Sequence, residues 1–135
     1  MITRKKNVEA SPREAVSAAC NILESIFKTY IEEEKLSVPN KQDLQPVWKV
    51  VRDDLGLDPS KIEERDLQEI LSGIFATVNG IGALRTHASS AHGSGKKAYV
   101  LKPRHARLAV HSAHTLATFV FESWQEKIEK RKTNA

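Results

Sequence analysis

Ser11-Pro12-Arg13-Glu14-Ala15-Val16-Ser17-Ala18-Ala19-Cys20-Asn21-Ile22-Leu23-Glu24-Ser25-Ile26-Phe27-Lys28-Thr29-Tyr30-Ile31 reads as one helix, and the width of its apolar face decides the fold. The Ser11 side chain can accept from the amide three residues on while Glu14 reaches back, and Pro12 stands at the first helical position. Ala19, Ile22, Ile26 and Tyr30 then recur at steps of three and four, with Val16, Leu23, Phe27 and Ile31 in the neighbouring row. A stripe that wide needs partners on more than one side. The helix is therefore expected to be deeply packed and to end near Glu34 or Lys35.

Working outward, Pro39 and Asn40 mark a loop, and Leu44, Val47, Trp48, Val51 and Leu55 describe a second amphipathic helix stopped by Gly56. Asp58-Pro59-Ser60 makes a turn. A third helix is expected from about Ile62 or Asp66 through Ile70, Ile74, Val78 and Ile81 toward Leu84. Gly73, Gly80 and Gly82 each cost it roughly 1 kcal/mol against alanine, which points to close approach of a neighbouring backbone. From His87 to Pro103, glycine, serine and lysine read as a turn and a flexible loop, with Tyr99-Val100-Leu101 a short extended piece. A last helix from about Arg104 to Lys130 buries Ala106, Ala109, Ala113, Leu116, Ala117, Val120, Trp124 and Ile128. The fold class expected is all-α, a four-helix up-and-down bundle with short accessory pieces. The helical domain spans 11–130, between a flexible N-terminal segment, 1–10, and a charged C-terminal tail, 131–135.

Composition bounds the function. At 135 residues, 40% hydrophobic and 28% charged, the chain fits one globular domain. Cys20 is the only cysteine, so the chain can form no disulfide within itself and favours a reducing interior. The basic start, Met1 to Asn7, is not followed by an apolar signal segment, and no stretch is read as reaching the length that crosses a bilayer. A soluble, cytoplasmic protein without membrane partners is expected. The net charge of +4 suits a polyanion but decides little alone.

Its distribution says more. Ile70 to Phe121 holds no aspartate or glutamate, yet contains all five histidines and six basic residues. Arg85 and His92 bracket the expected turn Thr86-His87-Ala88-Ser89-Ser90-Ala91. A guanidinium binds phosphate bidentately, and an imidazole takes and gives a proton near neutral pH, so the two suit metal-free RNA cleavage through the 2′-hydroxyl. The spacing itself is common here, since Arg104 to His111 and Arg107 to His114 repeat it inside the last helix. Those pairs read as a basic stripe. Two structural readings stand beside catalysis: His92 capping the third helix, and Arg85 paired with a carboxylate of the first half. His87, Ser89 and Ser90 beside the pair, and Lys96, Lys97, Lys102, Arg104 and Arg107 further on, are candidate RNA or phosphate contacts, with solvated surface groups as the alternative. His111 and His114 lack a third metal ligand and read as surface or half-buried. Trp48 and Trp124 read as core, and Cys20 as an inert small hydrophobe.

Gly82-Ala83-Leu84-Arg85-Thr86-His87-Ala88-Ser89-Ser90-Ala91-His92-Gly93-Ser94-Gly95, with Arg104-His105-Ala106-Arg107-Leu108-Ala109-Val110 and Ala113-His114-Thr115-Leu116-Ala117-Thr118-Phe119, resembles the abortive-infection C-terminal domain family. That family is similar to the HEPN superfamily of helical ribonucleases. Ser11-Pro12-Arg13-Glu14-Ala15 and Leu71-Ser72-Gly73-Ile74 extend the likeness over nearly the whole chain. The resemblance implies that Arg85 and His92 match the catalytic pair and Thr86 the polar position after the arginine, where asparagine is frequent. It further implies metal-independent RNA cleavage with no cofactor, a toxin-like role in phage defence and a site completed across a homodimer; a separate reading is a structural interaction domain of a larger system, controlled by an antitoxin or sensor protein. The other class of reading is a non-catalytic module of the same fold that dimerises and binds RNA, a nucleotide or a protein. The family is usually the C-terminal part of longer proteins, so the chain is either a free-standing version or an excised domain.

Overall fold

The computed structural model describes residues 11–89 and 100–134. They form α1 Pro12–Glu33, α2 Leu44–Asp54, a 3-10 turn Pro59–Lys61, α3 Arg65–Ser89 and α4 Pro103–Thr133, with no strand among the described residues. Val100 and Leu101, read as part of a short extended piece, carry no regular structure. The class is all-helical: four helices packed into one bundle.

Ser11 caps α1 as its sequence demands, its Oγ accepting from the Glu14 amide at 3.4 Å with Pro12 in the first turn. The chain leaves α1 through Lys35 at φ 56°, and the Leu36 amide donates back to the Ile31 carbonyl at 2.9 Å. Gly56 at φ 73° closes α2 the same way, with Leu57 donating to Arg52 at 2.8 Å. A left-handed residue there satisfies carbonyls the helix end would strand. In both cases the next leucine turns back to pack against the core.

α1 packs on all three other helices. Val16, Cys20, Phe27 and Tyr30 are wholly buried, and the Phe27 ring lies 5.2 Å from that of Trp48. The stripe is rotated from the expected one: Cys20 lies in its centre, whereas Ile22, about 200° further round the helix, is 53% exposed. Ala106, Ala109 and Ala113 are buried on α4, and such small side chains let it lie close against α1.

The direction of travel follows from named contacts. Leu44, opening α2, lies 3.8 Å from where a Cβ on Gly82 would stand, and Arg85, one turn further along α3, reaches Asn21 and Glu24. At the other end Asp54, closing α2, meets Tyr30, while Trp124 and Arg131 of α4 meet Glu34. So α1, α2 and α4 run one way and α3 the other, and the loop after Glu34 carries the chain back along α1. That loop is the bundle's one long crossover within the described residues.

α3 differs from its sequence reading in three respects. It continues through Ser89 rather than stopping near Leu84, because nothing between Arg85 and Ser89 breaks a helix and the next glycine is Gly93. The expected turn beginning at Thr86 is therefore helical as far as it is described. The glycines make no close approach: a Cβ on Gly73 or Gly80 would meet nothing within 4 Å, and at Gly82 only ordinary contact with Leu44. Finally, Ile70 to Leu84 carries no charge, and Arg65–His87 is long and apolar enough by length and composition to cross a bilayer, contrary to the reading that no segment reaches that length. Leu71, Val78 and Ile81 are nonetheless buried within the bundle.

α2 and α4 share no backbone-level packing, and a polar network joins them instead. Lys127 Nζ reaches Asp54 Oδ2 at 2.5 Å and Glu34 Oε1 at 3.5 Å, and the Tyr30 hydroxyl donates to the same Asp54 oxygen at 2.5 Å. Glu34 also accepts from Trp124 Nε1 at 3.1 Å and from Arg131 at 2.6 Å. Arg131, assigned from sequence to a charged tail, thus lies within α4 and ties its end to α1.

The hydrogen bond from Arg131 holds the Glu34 carboxyl below its ordinary 4.5; burial raises that of Asp54, but the bonds from Lys127 and Tyr30 outweigh it and hold Asp54 below 3.8. A carboxyl depressed in the folded state stabilises above its unfolded pKa and loses that contribution as pH falls through the folded one. Thermal melts should accordingly show stability declining on acidification below 4.5. Glu34→Ala should cost about 1–3 kcal/mol at neutral pH, by stranding the Trp124 donor and removing the carboxylate that Arg131 pairs with, and should flatten the acid limb of the melting profile.

Candidate functional site

Asn21 and Glu24 are three residues apart on α1, which sets them one above the other on the face toward α3. Between them they receive the Arg85 guanidinium: one terminal nitrogen donates to Asn21 Oδ1 at 3.0 Å, the other to Glu24 Oε1 at 2.6 Å. Neither member of the ion pair is far from the interior, with side-chain exposures of 24% for Arg85 and 13% for Glu24. The Glu24 hydrogen bond raises the Arg85 pKa against the opposing effect of burial, and Asp43 before α2 acts in the same direction as Glu24. A cation is thereby held in one orientation near the C-terminal end of α3, where the helix dipole also favours it.

The alternative that Arg85 pairs with a carboxylate of the first half is thus met by a specific residue, Glu24. Asn21 and Glu24 were absent from the sequence reading. Their signal was faint, two polar residues three apart inside an otherwise apolar helix, and nothing local showed which helix they would face. Cys20 stands behind them, wholly buried, and burial pushes its thiol up to about 11, so it stays protonated and unreactive.

The remaining site candidates among the described residues lie at the end of α3 and along α4, with Lys102 just before it. Thr86 and His87 lie on exposed turns of α3, and the Thr86 hydroxyl donates to the Gly82 carbonyl at 3.1 Å, a back-bond usual for threonine within a helix. Ser89 ends α3. His92, Ser90, Lys96 and Lys97 lie outside the described residues. Arg104 and Arg107 are exposed on the first turns of α4, preceded by exposed Lys102, whose amide donates to His105 Nδ1 at 3.2 Å. That bond makes His105 part of the helix start. His111 and His114 are exposed, and no group of three or more potential ligands converges on a metal position among the described residues. Trp48 is core; Trp124 is half-buried with its ring 4.7 Å from that of Tyr30.

An all-helical bundle with a fixed guanidinium near one helix end and basic groups opening the next helix defines the class. The chain matches the Abi_C family, described as a HEPN-like domain, over residues 2–124, and belongs to that family. No curated protein and no solved structure matches it.

The pairing itself can be measured. Glu24→Ala should destabilise the fold by about 1–3 kcal/mol by removing the carboxylate that a half-buried guanidinium pairs with. A double-mutant cycle with Arg85→Ala should return a coupling of about 0.5–3 kcal/mol, whereas additivity would mean the pair contributes nothing beyond its separate parts.

Proposed function

We propose that this HEPN-like domain, whose family ties it to abortive infection, is a metal-independent endoribonuclease. The observation that carries the proposal is the placement of Arg85: α1 grips it from one side near the end of α3, and the chain leads from there to His92 within seven residues. The contacts from Asn21 and Glu24 fix the direction in which the guanidinium faces, and a planar cation held in one orientation suits a phosphate.

In this reading an imidazole, that of His92, removes the proton of an RNA 2′-hydroxyl. The oxygen attacks its own phosphorus, Arg85 stabilises the charge gathering on the non-bridging oxygens, and the departing 5′-oxygen receives a proton from an imidazolium. The products are a 2′,3′-cyclic phosphate and a 5′-hydroxyl, and DNA cannot be cleaved this way because it lacks the attacking group. Thr86 helps orient the pair, and Arg104, Arg107, Lys96 and Lys97 supply backbone contacts, with His87, Ser89 and Ser90 beside the pair. A homodimer would provide one imidazole as base and another as acid. Support for such an assembly comes from the outer face of α3, uncharged from Ile70 to Leu84, with Ile70 61% exposed and open space over Gly73 and Gly80. Restraint of such a nuclease would fall to an antitoxin or sensor protein in the cytoplasm.

The Arg85–Glu24 ion pair favours a second reading, a non-catalytic module of the same fold in which Arg85 is structural and the basic surface holds RNA or a partner. Incubation of the purified chain with single-stranded RNA in excess chelator separates the two. Cleavage to cyclic-phosphate ends, abolished in His92→Ala, is expected; RNA bound but intact, or equal cleavage by His92→Ala, supports the second reading. Sedimentation should show a dimer that Ile70→Glu converts to monomer, and a monomeric wild type would remove the composite site.

A further inference from the structure

Along α4, Arg104, Arg107, His111 and His114 recur at steps of three, four and three. At 100° per residue they fall within one arc of about 80°, over a helical rise of about 15 Å. All four are exposed. No aspartate or glutamate occurs on α4 before Glu122, and neither arginine forms an ion pair among the described residues. Three other arginines are paired, Arg52 with Asp53 and Asp58, Arg85 with Glu24 and Arg131 with Glu34, whereas Arg13 and Arg65 stand singly and not in a row. A row of uncompensated cations and imidazoles beside compensated ones lowers nothing in the folded chain's own energy, and its electrostatic complement is a line of negative charge.

The geometry points to the outer face of α4 as a track for the sugar-phosphate backbone of single-stranded RNA, with His111 and His114 extending the arginine pair away from Arg85. The inference rests on the RNA reading above and deepens it by naming where the strand runs. A second copy of the chain is the competing occupant, since the far half of the same helix carries Glu122, Glu126 and Glu129. Protein interfaces, however, centre on apolar anchors. Leu108 and Phe121, the exposed apolar residues of this helix, lie about 140° apart and flank the arc rather than fill it. Phosphate contacts need only cations and hydrogen-bond donors.

Binding is measured by fluorescence anisotropy on the cleavage-silent His92→Ala chain with a labelled single-stranded RNA, across a salt series. For single strands, log K falls with log salt by about 0.7 for each phosphate contact. Arg104→Gln with Arg107→Gln should weaken binding and reduce that slope by about 1.4. His111→Lys with His114→Lys, which makes both charges permanent, should tighten binding and steepen it. Melting curves matched to wild type confirm that these surface variants fold. Unchanged affinity and slope in both variants overturns the track, even if wild-type chain cleaves RNA; the predicted shifts establish it even if wild type cleaves nothing. A change in sedimentation of the arginine variant with no change in RNA binding would assign the surface to a second copy instead.

Discussion

Burial of one helix on three sides constrains everything else. α1 has to give Val16, Cys20, Leu23, Phe27 and Tyr30 to the interior, and a helix with so broad an apolar arc cannot be covered by one neighbour. Three helices therefore gather round it, and each is located by what α1 offers at a given height. At its midpoint Asn21 and Glu24 take Arg85; near its end Tyr30 and Glu34 take Asp54, Lys127, Trp124 and Arg131. The apolar stripe supplies cohesion and these polar contacts supply register.

This arrangement explains why α3 and α4 touch each other little although both are long. Each is held by α1, so the groove between them remains shallow, lined by Ile74, Thr77, His111, Ser112, Thr115 and Leu116. The outward surfaces then divide by charge. α3 presents an uncharged face between Glu69 and Arg85, and α4 presents cations and imidazoles before a second half of mixed charge. Assembly and polyanion binding make different demands, one for apolar area and the other for uncompensated charge, and the two helices offer these separately.

Arg85 shows how one contact bears on two functional readings. Its ion pair with Glu24 is what a structural arginine would make, and it is also what would hold a catalytic guanidinium still. Pre-orientation of charge is effective because the group needs no rearrangement when substrate charge develops. The difference between the readings lies in what else reaches that cation, which is a matter of chemistry on RNA and not of the bundle's stability.

The helices were legible in the sequence because local signals set them: Ser11 and Pro12 start α1, Gly56 stops α2, and the periodicity of Ala106 to Val120 marks the buried side of α4. Arg85 stood out by its acid-free surroundings, as did the basic groups of α4. Misreadings arose where local signals were permissive. Thr86 to Ser89 looked like the start of a turn but contains no helix breaker, and three glycines suggested a close neighbour that the fold does not supply. What only the tertiary structure decided is the pairing: that α2 runs with α1 and not against it, that Glu24 rather than any other carboxylate receives Arg85, and that Arg131 belongs to the network at Glu34. Periodicity states which side of a helix is buried. Contacts between helices depend on rotation and height, which are set by packing the whole core at once.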